Sequence, residues 1–276
     1  MTGPETSAPS PAELLELART IALQAGAFAI EARRAGVEVA ATKSTPTDIV
    51  TAVDRDTEAL IRTLILEARP DDGILGEEGT SLPGSTGLEW IVDPIDGTVN
   101  FLYGIPAWAV SIAVVARSEG ARQWRALAGV VVNPTSGELF EASEGGGATL
   151  DGARIEANQD VPLSRALVAT GFGYAAEKRR DQAAIVSQLL PRIRDIRRMG
   201  AASLDLCAVA AGRIDAYYES GLHAWDHAAG ALVAAEAGAL VTGPRGGAAD
   251  EEFILVAAPR LHAELAEALR EAGAPA

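Results

Sequence analysis

The chain has 276 residues, 48% of them hydrophobic and 22% charged, so a large core can form and the charged share is ordinary. A formal net charge of −15, from 23 basic and 38 acidic residues, repels a phosphate backbone and argues against general DNA or RNA binding. The single cysteine, Cys207, rules out an internal disulfide and fits a reducing cytoplasm, and no stretch reaches the ~18 uninterrupted apolar residues of a membrane span.

Met1 to Pro11 reads as a short disordered tail, without the basic-then-apolar pattern of a signal peptide. Leu14, Leu15, Ala18, Ile21, Ala22, Ala25, Phe28 and Ala29 recur at helical spacing and predict a helix over 12–34, with Ser10 and Pro11 at its start. The stretch 37–47 reads as a hairpin or a mobile loop. A second helix is expected over 50–68, stopped by Pro70-Asp71-Asp72-Gly73. Gly73 to Gly76 and Leu88 to Val92 read as strands, and Asp96 to Val99 as a turn that can open a helix. Strands over 107–117, 125–132, 137–142 and 147–150 make the first half a mainly antiparallel sheet. The second half alternates. Strands are expected at 167–170, 195–199, 214–219, 240–242 and 253–257, and helices at 177–190, 201–211, 225–237 and 260–272. That order implies a sheet flanked by helices. Cys207, within an apolar run, reads as a small buried residue.

Acidic residues stand at the ends of these elements: Asp48, Glu77-Glu78, Asp93 with Asp96, and Asp226. Trp90-Ile91-Val92 is a strand ending in Asp93. Pro94 forces a turn, Asp96 returns a second carboxylate, and Gly97 lets backbone approach a ligand. If a helix opens at Thr98, its free N–H groups can hold a phosphate. Paired carboxylates beside an anion site suit a hard divalent cation. Asp-Pro and Asp-Gly are also ordinary turn formers, Glu77-Glu78 a solvated turn and Asp226 a helix cap, so each motif alone stays ambiguous. The joint occurrence is the signal. His223, His227 and His262 have no nucleophile partner in sequence and read as surface or cap residues.

Asp93-Pro-Ile-Asp-Gly-Thr98, Gly76-Glu-Glu78 and Trp225-Asp226-His-Ala-Ala-Gly230 together resemble the inositol monophosphatase family. The resemblance runs from Lys43 to about Ala258, and Leu167 to Val241 is particularly similar to the actinobacterial members. It implies an α+β fold, a layered α-β-α-β-α sandwich, as one phosphatase domain over 12–276 with halves at about 12–150 and 151–276. It implies two or three Mg²⁺ per subunit. Glu77, Asp93 and the Ile95 carbonyl would take the first, and Asp93, Asp96 and Asp226 the second. Glu77 would hold a third through waters. Glu77 and Thr98 would orient and deprotonate the attacking water, with Asp48 near Thr98 and Lys43 on a mobile loop. Gly97 and Thr98 would hold the phosphate, and Asp96, Gly200, Ala202, Glu219 and Asp226 the substrate. Ala201 departs from the threonine common in animal members. The implied activity is hydrolysis of myo-inositol 1-phosphate by a lithium-sensitive, cytoplasmic homodimer acting on a small phosphorylated polyol, with no nucleic-acid or membrane partner. The alternatives are a histidinol-phosphate phosphatase and a non-catalytic regulatory protein on the same fold.

Overall fold

The computed structural model describes residues 8–36, 39–42, 49–117 and 124–276. Helix α1 (Pro11–Ala35) begins one residue before the expected start. Its Ser10/Glu13 capping box satisfies orphan N–H groups, Pro11 needs no donor in the first turn, and Arg33 and Arg34 complement the C-terminal dipole. Strands β1 (Val39–Thr42) and β2 (Ile49–Thr51) pair antiparallel. Helix α2 (Ala52–Ala68) starts two residues later than its periodicity suggests, because Thr51 and Asp54 form a capping box there.

The first half then builds one sheet from β3 (Gly73–Gly76), β4 (Ser81–Leu82), β5 (Leu88–Asp96), β6 (Ala109–Arg117), β7 (Trp124–Asn133), β8 (Glu138–Ser143), β9 (Gly147–Leu150) and β10 (Ala153–Arg154). Its order is β10-β9-β8-β7-β6-β5-β3-β4. Every pair is antiparallel except β3 with β5. The short α3 (Thr98–Tyr103) leaves the end of β5. The second half contributes β11 (Leu167–Thr170), α4 (Ala176–Leu189), β12 (Asp195–Arg197), α5 (Ala202–Ala210), β13 (Ala216–Glu219), α6 (Ala224–Glu236), β14 (Leu240–Thr242), β15 (Ile254–Ala257) and α7 (Pro259–Glu271). Its sheet runs β12-β11-β13-β15-β14 and is mixed.

Strand alternation assigns the layers. Trp90 and Val92, with Val110, Ile112 and Val114, pack on Leu14, Ala18, Ile21, Ile61 and Ile65 of α1 and α2. Their neighbours Ile91, Ala109, Ala113 and Val115 turn the other way, onto Leu206, Val209, Leu232 and Val233 of α5 and α6. Tyr217, Ile254 and Val256 of the second sheet close that same core from the far side. Ala216, Tyr218 and Leu255 face outward onto Leu261, Leu265 and Leu269 of α7. With Ile185 and Leu189 of α4 in that same outer cluster, the result is helix pair, sheet, helix pair, sheet, helix pair: the layered α-β-α-β-α sandwich. Both sheets bury both faces, so nearly continuous apolar strands are affordable. Helix α6 approaches β7 closely enough that a Cβ on Gly129 would lie 2.9 Å from the Ala229 carbonyl oxygen. Among the described residues no helix is long and apolar enough to cross a membrane.

Candidate active site

Three carboxylates converge where β5, α5 and α6 meet. Oxygens of Asp93, Asp96 and Asp226 lie within 4.8 Å of one another. Asp93 and Asp96 close β5, where the register with β6 shifts between them. This irregularity carries both acids toward one cleft. Asp93 Oδ1 accepts from the Ile95 N–H at 3.0 Å, and Ile95 itself is anchored in a cluster with Val53, Phe101 and Trp108. Gly97 follows with φ 91° and ψ 41°, a left-handed conformation that favours glycine. A Cβ there would also lie 3.1 Å from the carbonyl oxygens of Ala107 and Gly200.

Asp96 is held at the start of α5. Its Oδ1 accepts from Ala202 N at 3.2 Å, and its Oδ2 from Ser203 N at 2.7 Å and from the Ser203 hydroxyl. The Ala202 N–H, expected near the substrate, is therefore already given to Asp96. Asp226 sits in the first turn of α6 and reaches back to accept from His223 N at 2.6 Å. The helix-cap reading of Asp226 and the cluster reading thus both hold for the same side chain.

Glu77 lies on the turn after β3, with its N–H donated to the Val92 carbonyl at 3.2 Å. Its carboxylate reaches Asp93 through a side-chain hydrogen bond. Buried Glu58 fixes this turn by accepting from Glu78 N at 2.7 Å and Thr80 N at 3.1 Å. A Cβ on Gly76 would fall 2.4 Å from Glu58 Oε2, so glycine leaves room for that carboxylate.

The electrostatics follow from burying like charges. Burial first, then Glu77, Asp96 and Asp226, pushes Asp93 well above the ordinary carboxylate range. Asp226 is likewise pushed well up by burial, then by Glu77 and Asp96. Asp96 rises to about 7 through burial, although the Ser203 and Ala202 donors oppose it. Such a set holds its negative charge at neutral pH only with cations between its members. An all-oxygen donor set of this kind fits a hard divalent ion such as Mg²⁺.

Thr98 Oγ1 lies 3.1 Å from Asp54 Oδ1 and 3.2 Å from the Ile95 carbonyl. Sequence reasoning missed Asp54, a fully buried residue whose other oxygen caps α2 through Thr51. Its signal was the Thr51-x-x-Asp54 capping pattern, read only as part of a helix. Asp48 and Lys43 lie outside the described residues, so among those residues Asp54 supplies the carboxylate at Thr98.

On the far side, Glu219 ends β13 and accepts from the Tyr217 hydroxyl at 2.5 Å. Burial raises it, while Tyr217, Arg198 and Lys178 oppose the rise. Its charge acts on Asp226, and Gly200 borders Gly97, so the residues expected to hold substrate adjoin the acidic cluster. Asp205, also missed, is 2% exposed, and its Oδ1 has no hydrogen-bond partner. It stood in the apolar run Leu204 to Val209, where an acid on the first turn of a helix draws no notice.

Cys207 is fully buried, with its thiol pushed up by burial. Of the histidines, His223 is the exposed N-cap of α6, and His262 is half-buried against Thr242 Oγ1 at 2.8 Å. His227 corrects the surface-or-cap expectation. It is 3% exposed, and burial lowers it to about 4, because its helix face turns into the protein rather than outward.

A match to the family described as "Inositol monophosphatase family" spans residues 10–274. The inositol-1-monophosphatase SuhB of Mycobacterium tuberculosis is 44% identical, across 98% of this chain and 97% of that protein. The solved structure of Mycobacterium tuberculosis SuhB superposes with a TM-score of 0.81 at 42% identity, covering 98% of this chain and all of that one. The protein named Nus factor SuhB from Vibrio cholerae is 37% identical, across 94% of this chain and 97% of that protein.

Proposed function

The chain belongs to the inositol monophosphatase family, and on that premise we propose that it is a Mg²⁺-dependent phosphomonoesterase acting on myo-inositol 1-phosphate and related polyol monophosphates. The observation that carries the reading is the convergence of Asp93, Asp96 and Asp226 within 4.8 Å, beside Glu77 and Thr98. Asp93, Asp96, Asp226, Glu77 and the Ile95 carbonyl would hold two or three Mg²⁺. Bound Mg²⁺ would supply charge neutralisation of the phosphate oxygens and acidification of a water.

The protein's own groups do the rest. Gly97 and Thr98 would donate backbone N–H groups to the phosphate. Asp54 accepts a hydrogen bond from the Thr98 hydroxyl, which would leave the Thr98 oxygen lone pairs to accept from and orient the attacking water. Glu77 would accept that water's proton, and attack would proceed in line without a phospho-enzyme. Glu219, held by Tyr217, can accept from vicinal hydroxyls, which favours a polyol over a simple alkyl phosphate. Gly200 and Ala202 would line that side.

Hydrolysis of a panel of inositol 1-phosphate, histidinol phosphate, a nucleotide 3′-phosphate and fructose 1,6-bisphosphate with Mg²⁺ tests the assignment. Inositol 1-phosphate is expected to have the highest kcat/KM, with lithium inhibition. Faster turnover of histidinol phosphate would replace the substrate. A second reading, a regulatory protein, has support only from names, those of the relatives called Nus factor SuhB, the Vibrio cholerae protein among them. Absence of turnover on every substrate would favour it.

A further inference from the structure

Helix α6 carries Asp226 on one side and lines a separate cavity on the other. By helical geometry Ala224, Ala228, Ala231 and Ala235 project about half a turn away from Asp226. Along them lies a cavity of about 820 Å³, within the size range of small-molecule sites. Leu232, Val241 and Trp124 extend its apolar wall. It sits where β7 of the first sheet and β14 of the second both approach α6.

Three features describe what it would hold. His227 lines it, is 3% exposed, and its Nε2 has no hydrogen-bond partner. The His227 ring stacks on Trp124, with centroids 5.8 Å apart and 24° between planes. Among the described residues the charged lining is acidic: Glu144, Asp250, Glu251 and Glu252, with no described lysine or arginine. Glu144 is paired with Arg125 and Glu251 lies 3.3 Å from His223. Among the described residues, Asp250 and Glu252 take part in no ion pair.

We propose that this cavity is a binding site for an amphipathic organic monocation, with its ammonium head at Asp250 and Glu252 and its apolar body along Trp124 and the alanine wall of α6. Four carboxylates exclude an anion. A polyamine, charged at both ends, would place one ammonium against Ala228 and Leu232, where nothing solvates it. The Trp124 indole already carries the His227 ring and, 5.5 Å from its centroid, the Arg117 guanidinium, so an apolar body would lie against the indole edge and the alanine wall rather than stack on a free face. The proposal is independent of the phosphatase reading, since none of its residues belongs to the acidic cluster.

Saturation-transfer NMR on the full chain at constant ionic strength tests it, with phenethylammonium as probe and 3-phenylpropanoate and spermidine as controls. The expected result is one saturable site for phenethylammonium, with a dissociation constant on the order of 1 mM, and weaker or no binding of both controls. Ala231→Phe, which fills the cavity, should abolish binding. Asp250→Asn with Glu252→Gln, both at exposed positions, should weaken it about fivefold. If Ala231→Phe loses its native circular dichroism, the charge pair decides alone. No saturable binding, equal binding of 3-phenylpropanoate, or affinity unchanged in the charge variant would overturn the proposal.

Discussion

Asp93 shows how much chemistry rests on one buried side chain. It is 1% exposed and shares its surroundings with three other acids, so in the folded chain its charge is stable only beside cations. Asp93→Asn keeps the size and removes the charge. Activity should fall by more than about 100-fold while the thermal midpoint holds or rises, since one of the repelling carboxylates is gone. Retained turnover would contradict the metal assignment. Asp54→Asn tests the positioning role: kcat should drop about 10–100-fold with KM little changed, because Asp54 acts through Thr98 and not on substrate. A change confined to KM would reject that role. Asp96 supplies the pH dependence. Its carboxyl is raised from 3.8 to about 7, so it binds a proton more tightly folded than unfolded. The stability it contributes is fully present below about pH 3.8 and is lost as the pH rises through about 7. Divalent ions compete with that proton. Mg²⁺ should therefore raise the melting temperature more at about pH 8 than at about pH 5, and equal shifts at both would count against the cluster as the metal site.

At the scale of elements, the site depends on how strand and helix ends are aimed. The turn after β3 holds Glu77 only because Glu58, from α2, ties down the N–H groups of Glu78 and Thr80. Gly76→Ala would drive a methyl into Glu58 and release that turn. The expected cost is about 1–3 kcal/mol of stability from two unsatisfied donors, with a loss of activity. Denaturant melts and steady-state rates on Gly76→Ala would show it, and wild-type behaviour would remove Glu58 from the account. Element types were legible where periodicity is long. The helices over 11–35 and 52–68 and the strands of the first sheet follow their patterns to within a few residues. The displaced start of α2 was not, because a capping box at Thr51 outweighs the β-branched run before it. The two-residue strands β4 and β10 were not read either, since two residues carry no period.

For the whole molecule, the layered sandwich places the site between the two sheets and leaves an apolar patch beside it. Val99, Tyr103 and Ile105 are exposed around α3, and Met199, also exposed, is tied to that helix by the Asn100 amide donating to its carbonyl at 2.9 Å. Exposed apolar side chains gathered in this way are the expected place for an association surface. The chain is expected to sediment as a homodimer, and Tyr103→Glu with Ile105→Glu to shift it to monomer at micromolar concentration. A wild-type monomer, or a variant that remains dimeric, would place the contact elsewhere.

The amino-acid sequence by itself determined the acids at element ends, the Asp93 to Thr98 turn, the alternation of strands and helices in the second half, and the family that these motifs resemble. Those features are local: each is a spacing, a turn former or a period within a few tens of residues. Only the tertiary structure decided that Asp54 is the described carboxylate at Thr98, that Ser203 and Ala202 hold Asp96, and that Asp205 and His227 are buried without full hydrogen bonding. Asp54 and Thr98 are 44 positions apart, and Asp96 and Ser203 are 107. Such contacts exist because two sheets enclose α5 and α6 in one core, and no period or motif within a single segment encodes which distant segment will lie across it.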